Sequence, residues 1–172
     1  MSNHRYAIWY EPTGTVYEEL KSVIIGLAEK YKTSFSEPHI TLLPGGTDLP
    51  KETVISKLQK VVSNTKSFST KFTSYGCADD YFRCIYINIL QNPEIMHFAH
   101  AIHEEFNSTQ NIFTPHLSIL YGELPITEKD KIIKSLGGTY EKSFILEKVD
   151  IIEYEFGKSP ESWRKIQSIK IN

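Results

Sequence analysis

Hydrophobic and polar positions follow two rhythms along this chain, and each change of rhythm marks an element. Arg5–Tyr10 (RYAIWY) is an apolar and aromatic run closed by Pro12-Thr13-Gly14, which predicts a strand and a turn. Thr15 and Glu18 have the spacing of a capping box. From there Val16, Leu20, Val23, Ile24, Leu27 and Tyr31 recur with a period of about 3.6, the stripe of an amphipathic helix. His39–Leu43 (HITLL) predicts a strand stopped by Pro44-Gly45-Gly46. Pro50–Val62 predicts a helix with Val54, Leu58 and Val61 on one face, and Phe68–Tyr75 alternates as a strand.

The same series then recurs. Tyr81–Leu90 (YFRCIYINIL) is rich in aromatic and β-branched residues and predicts a strand. Asn92 and Pro93 suit an N-cap and a first helical residue, and Ile95, Ala99, Ile102 and Phe106 form that helix's stripe. Pro115–Tyr121 (PHLSILY) predicts a strand, and Thr127 starts a short helix that ends at Gly137-Gly138. Lys142–Phe156 and Trp163–Ile171 read as two long strands able to pair. Pro38-His39-Ile40-Thr41-Leu42-Leu43 matches Pro115-His116-Leu117-Ser118-Ile119-Leu120 in residue class at every position, 77 residues apart. The first strand of each half begins 34 or 35 residues before its histidine. An internal duplication is the economical reading: one bilobal domain over residues 1–172, with units at about 5–76 and 81–156 and a closing strand at 163–171.

Residues i and i+2 of a strand share a face. His39 therefore projects with Thr41, and His116 with Ser118, while Ile40 and Leu117 point into the lobes. A pseudo-twofold axis would bring the two strands face to face across a cleft holding two imidazoles and two hydroxyls. That set suits phosphodiester chemistry. Two histidines near an ordinary pKa of about 6.5 can act as base and acid at neutral pH. Two hydroxyls can donate to the non-bridging phosphoryl oxygens, where charge builds up. A single histidine in an apolar strand is more often structural. Its duplication together with a hydroxyl partner favours function.

Composition narrows the field. A chain of 172 residues, 40% hydrophobic and 12% aromatic, fits one globular domain. Nineteen basic against 21 acidic residues give a net charge of −2. No basic excess marks a binder of long nucleic acid, so any nucleotide ligand should be small and held locally. No run approaches the ~18 apolar residues that span a bilayer, and the N-terminus has no apolar stretch long enough for a secretory signal. Cys77 and Cys84 make neither a disulfide framework nor a C-x-x-C motif. No carboxylate cluster convincing for Mg²⁺ stands out. The expectation is a soluble, cytoplasmic monomer with no membrane partner, no metal and no cofactor.

His39-Ile40-Thr41 and His116-Leu117-Ser118 resemble the paired H-x-T/S signatures of the 2H (two-histidine) phosphoesterases. Within them the chain most resembles the small cyclic phosphodiesterases of plants and fungi, through the early strand ending at Trp9, the segment Tyr81–Tyr86 and the run Pro115–Tyr121. The duplication and the resemblance together imply an α+β fold of two pseudo-symmetric lobes. Each would be an antiparallel sheet with helices packed outside, and the active-site cleft would lie between them. The resemblance implies hydrolysis of nucleoside 2′,3′-cyclic phosphates to 2′-phosphates. It also implies opening of ADP-ribose 1″,2″-cyclic phosphate, a by-product of tRNA splicing, to the 1″-phosphate. His39 and His116 would be the catalytic pair, with His116 as base and His39 as acid, and Thr41 and Ser118 would bind the phosphate. Tyr121 matches a family tyrosine that contacts the phosphate. The plant relatives carry disulfide cysteines, but no disulfide or redox switch carries over to Cys77 and Cys84.

Trp9 and the Tyr81-Phe82 pair could stack on a nucleobase. Strand aromatics more often pack in the core, and Trp9 and Phe82 are the expected exceptions. His97, His100 and His103 spread too widely around their helix to converge on one metal and read as a solvated face. Two alternative functions stay open. A phosphodiesterase acting on RNA ends or 2′–5′ oligonucleotides is disfavoured by the lack of a basic face. A non-catalytic nucleotide-binding module is disfavoured by the intact histidine and hydroxyl set.

Overall fold

The computed structural model describes residues 4–109 and 112–171. These residues form eight strands and four α-helices: β1 (His4–Tyr10), α1 (Gly14–Tyr31), β2 (Ile40–Thr41), α2 (Lys51–Ser63), β3 (Phe68–Cys77), β4 (Ile85–Ile89), α3 (Pro93–Glu105), β5 (His116–Leu120), α4 (Ile126–Ser135), β6 (Ser143–Leu146), β7 (Lys148–Glu155) and β8 (Arg164–Lys170). All strand pairs are antiparallel, in the order β6-β3-β4-β5-β2-β1-β7-β8. The fold is α+β with two lobes, as expected. The order is a palindrome: exchanging β1 with β4, β2 with β5, β3 with β7 and β8 with β6 returns it. Strand β3, from the first half of the chain, completes the lobe of β4 and β5. Strand β7, from the second half, completes the lobe of β1 and β2.

One face of this sheet is the core. Ile8 and Tyr10, Ile40, Ile85 and Ile87, Leu117 and Ile119, and Val149 and Ile151 are buried there, against Leu20 and Ile24 of α1, Leu58 of α2 and Phe98 and Ile102 of α3. The periodic stripes expected for α1, α2 and α3 are realised. Asn92 caps α3 by accepting from the Ile95 amide, and Gly137 and Gly138, both at positive φ, end the last helix.

Several expectations need correction. Helix α1 begins at Gly14, and Thr13 at its N-cap makes no side-chain bond, so Thr15 lies inside the first turn and the capping box does not form. The predicted strand at 39–43 shrinks to Ile40–Thr41, because the Leu42 and Leu43 amides turn away to the Ile8 carbonyl. The start of Tyr81–Leu90 is a 3-10 turn over Tyr81–Arg83, where the Asp80 carboxylate accepts from the Phe82 amide. The run Lys142–Phe156 divides into β6, which pairs with β3, and β7, which pairs with β1 and β8. His103 is not on a solvated face. It is buried, and its Nε2 donates to the Leu42 carbonyl at 2.8 Å, bracing the chain just after β2.

Candidate active site

The two signature strands meet at the centre of the sheet. They do not face each other across a cleft. They are neighbours, joined through the antiparallel pair Ile40↔Leu117. Carrying that register one residue either way sets His39 opposite Ser118 and Thr41 opposite His116, with directly opposed Cα atoms about 4.5–5.5 Å apart. Ile40 and Leu117 are buried on the core side, so these four residues emerge together on the other face. The pseudo-twofold axis thus runs through a square whose corners alternate imidazole and hydroxyl.

Each imidazole is held in the same way. His39 Nδ1 lies 2.7 Å from the Glu37 carbonyl and His116 Nδ1 lies 2.8 Å from the Thr114 carbonyl, two residues upstream in both cases. A carbonyl only accepts, so each Nδ1 carries the hydrogen and each neutral ring presents an unprotonated Nε2. Glu37 is itself tied to α1, where its carboxylate takes hydrogen bonds from Tyr17 and Lys21. That helix therefore fixes the carbonyl that fixes His39. The Thr41 and Ser118 hydroxyls have no hydrogen-bond partner among the described residues.

Burial pushes His39 down to about 4, its carbonyl bond opposes this, and the neighbouring charge of His116 lowers it further. His116 is lowered too, mainly by burial and also by the Arg83 charge. The influence of His116 on His39 fits two rings sharing one site.

Aromatic side chains wall the square. Trp9, opposite Thr41 in the β1–β2 register, stacks on His39 with centroids 3.9 Å apart and planes at 26°. It is 5% exposed, yet it belongs to the site. Tyr86, opposite Ser118 in the β4–β5 register, meets His116 edge-on at 5.3 Å. Trp9 and Tyr86 each precede their histidine by 30 residues, and that offset was the signal by which Tyr86 could have been found. Trp163 was missed as well. It packs against Trp9 at 5.9 Å and His39 at 6.1 Å, so both tryptophans of the chain converge here, and their rarity was the available clue. Phe82, 48% exposed, reaches Trp163 at 6.2 Å and Tyr121 at 5.4 Å. Tyr121 is buried with its hydroxyl 2.9 Å from Ser36 Oγ, which lies 3.3 Å from His39 Nδ1. Burial pushes the Tyr121 phenol up to about 12, so it stays protonated. Asp150, opposite Trp9 and fully buried, lies 3.1 Å from Lys165, which it shares with Glu11, and accepts a hydrogen bond from Ser168.

Residues 13–158 match the sequence model of the 2′-5′ RNA ligase superfamily. The chain belongs to that superfamily of two-histidine phosphoesterases. It is 24% identical over 127 residues to a cyclic phosphodiesterase from Arabidopsis thaliana, covering 73% of this chain and 68% of that one. In structure it resembles Escherichia coli LigT complexed with 3′-AMP, with a TM-score of 0.61, 11% identity and 99% of each chain covered. It also resembles TT0787 of Thermus thermophilus, with a TM-score of 0.64, 11% identity and coverage of 98% of this chain and 97% of that one. These two likenesses establish the two-lobed superfamily fold. Among the described residues no group of three or more His, Cys, Asp or Glu is gathered as a metal site would need. No described helix is long and apolar enough to cross a membrane.

Proposed function

We propose that the protein is a cyclic phosphodiesterase acting on small cyclic phosphates. It opens nucleoside 2′,3′-cyclic phosphates to 2′-phosphates and ADP-ribose 1″,2″-cyclic phosphate to the 1″-phosphate. The observation that carries this reading is the square itself: two imidazoles with free Nε2 atoms alternate with two unpartnered hydroxyls on one sheet face. One imidazole takes a proton from water as its oxygen attacks phosphorus. The bond from phosphorus to the departing ribose oxygen breaks, and the other imidazole delivers a proton to that oxygen. Thr41 and Ser118 donate to the non-bridging oxygens as charge grows there. Following the superfamily resemblance, His116 is the base and His39 the acid. Phe82 and Trp163 offer ring faces to a base; Trp9, expected to do the same, is instead buried in its stack on His39. With a net charge of −2, the ligand is a small nucleotide rather than long nucleic acid, and no membrane is involved.

The test is incubation with adenosine 2′,3′-cyclic phosphate in EDTA, with the product isomer identified by phosphorus NMR. The expected result is full turnover to the 2′-phosphate. No turnover with or without divalent ions overturns the assignment. Activity lost in EDTA and restored by one ion overturns its metal independence.

A further inference from the structure

Arg83 stands out because, among the described residues, nothing uses the hydrogen-bonding capacity of its side chain. It ends the 3-10 turn Tyr81–Arg83 that carries Phe82 to the cleft. Its guanidinium lies over the Tyr86 ring, 5.0 Å from the centroid, and Tyr86 in turn meets His116 edge-on at 5.3 Å. Its Nε is buried without a partner, and among the described residues the guanidinium makes neither a hydrogen bond nor an ion pair. Arg5 also has a buried, unpartnered Nε, but its Nη2 is committed to the Gly46 carbonyl. A guanidinium has five donors in a planar fork matched to phosphate oxygens, and stacking on an aromatic ring holds that fork in place. Leaving such a buried donor empty is costly unless a ligand fills it.

We propose that Arg83 binds a second, non-reacting phosphate of the substrate, so that the protein prefers cyclic phosphates carrying another phosphate or pyrophosphate group. The proposal rests on the cyclic phosphodiesterase reading above. The reacting phosphoryl group already has two hydroxyls and two imidazoles around it. Arg83 sits one aromatic ring beyond His116, where a phosphate on the far side of the ribose would reach. Of the two substrates proposed, ADP-ribose 1″,2″-cyclic phosphate carries the pyrophosphate this position would take.

The experiment compares kcat/KM for adenosine 2′,3′-cyclic phosphate and its 5′-phosphorylated counterpart, in the wild-type protein and in Arg83→Gln and Arg83→Lys. The wild type is expected to prefer the 5′-phosphorylated substrate by on the order of ten- to a hundredfold, the range of a charge-assisted pair. Arg83→Gln should lose most of that preference, falling far more on the doubly phosphorylated substrate, and Arg83→Lys should keep part of it. Circular dichroism checks that both variants fold. If Arg83→Gln falls equally on both substrates, Arg83 serves the shared cyclic phosphate and the proposal is overturned. It is overturned as well if the wild type turns over both substrates with equal kcat/KM. If the wild type opens neither, the cyclic phosphodiesterase reading fails and the proposal falls with it.

Discussion

Two protons decide how this site can work, and the structure locates both on Nδ1. His39 and His116 both sit below their ordinary value, so at neutral pH neither ring is charged. A neutral imidazole can serve as the base at once. The acid must gain its proton when the anionic substrate arrives, since a phosphate beside the ring favours the charged form. The assignment of His39 as acid therefore requires bound phosphate to lift it from about 4 into the neutral range. Proton NMR titration of His39 with and without saturating adenosine 2′-phosphate checks this directly. A His39 that stays near 4 in the complex reverses the two roles. The hydroxyls make a sharper case. Thr41 and Ser118 make no side-chain bond among the described residues, so Thr41→Ala and Ser118→Ala should leave the urea midpoint nearly unchanged. Each should lower kcat by on the order of 10²–10³-fold, the cost of one donor to developing charge. Wild-type turnover in both variants would make the hydroxyls bystanders.

At the level of elements, the second lobe depends on one close approach. Tyr86 lies over Gly76 of its partner strand, and a Cβ built on Gly76 would stand 2.8 Å from the ring. Gly76→Ala must therefore push the ring away from β3, disturbing both its edge contact with His116 and the seat of Arg83. The expected cost is about 1–3 kcal/mol of stability, measured by urea unfolding, together with a fall in kcat/KM. Adding Tyr86→Ala should restore the stability without restoring activity. Most helices were legible because their stripes obey one local rule, as Val16, Leu20 and Ile24 do. The motif pairs were legible because duplication repeated them letter by letter. Other features were not local. Nothing near Phe68 says that its strand completes the other lobe, since pairing is settled by long-range register. The break at Glu147 is one residue wide, yet it sends β6 and β7 to opposite sides of the sheet. The square of four residues needed the Ile40↔Leu117 pairing, which the letters alone left open.

Over the whole molecule, a desolvated catalytic pair must show in the dependence of stability on pH. His39 titrates at about 4 in the folded protein and near 6.5 in the unfolded chain. As pH falls, the unfolded chain takes up that proton first, so its population is favoured. The stabilisation from keeping His39 neutral is complete above about pH 6.5 and is lost progressively as pH falls towards 4. His116 acts in the same direction with a smaller shift. The carboxylates lowered by their hydrogen-bonding and cationic partners, Glu19, Glu37, Glu105, Glu128 and Asp79, also cost stability on acidification, but only as pH approaches their own ordinary values near 4 and below. Between pH 7 and 5 the histidines therefore dominate. Urea unfolding over that interval should show the wild type losing about 1–2 kcal/mol. In His39→Asn, whose amide can still donate to the Glu37 carbonyl, most of that loss should vanish, leaving the smaller His116 share. A wild-type stability that is flat from pH 7 to 5 would mean that His39 is as well solvated as a free imidazole. The square would then lack the dry, low-dielectric setting in which its two hydroxyls can act strongly on a phosphoryl group.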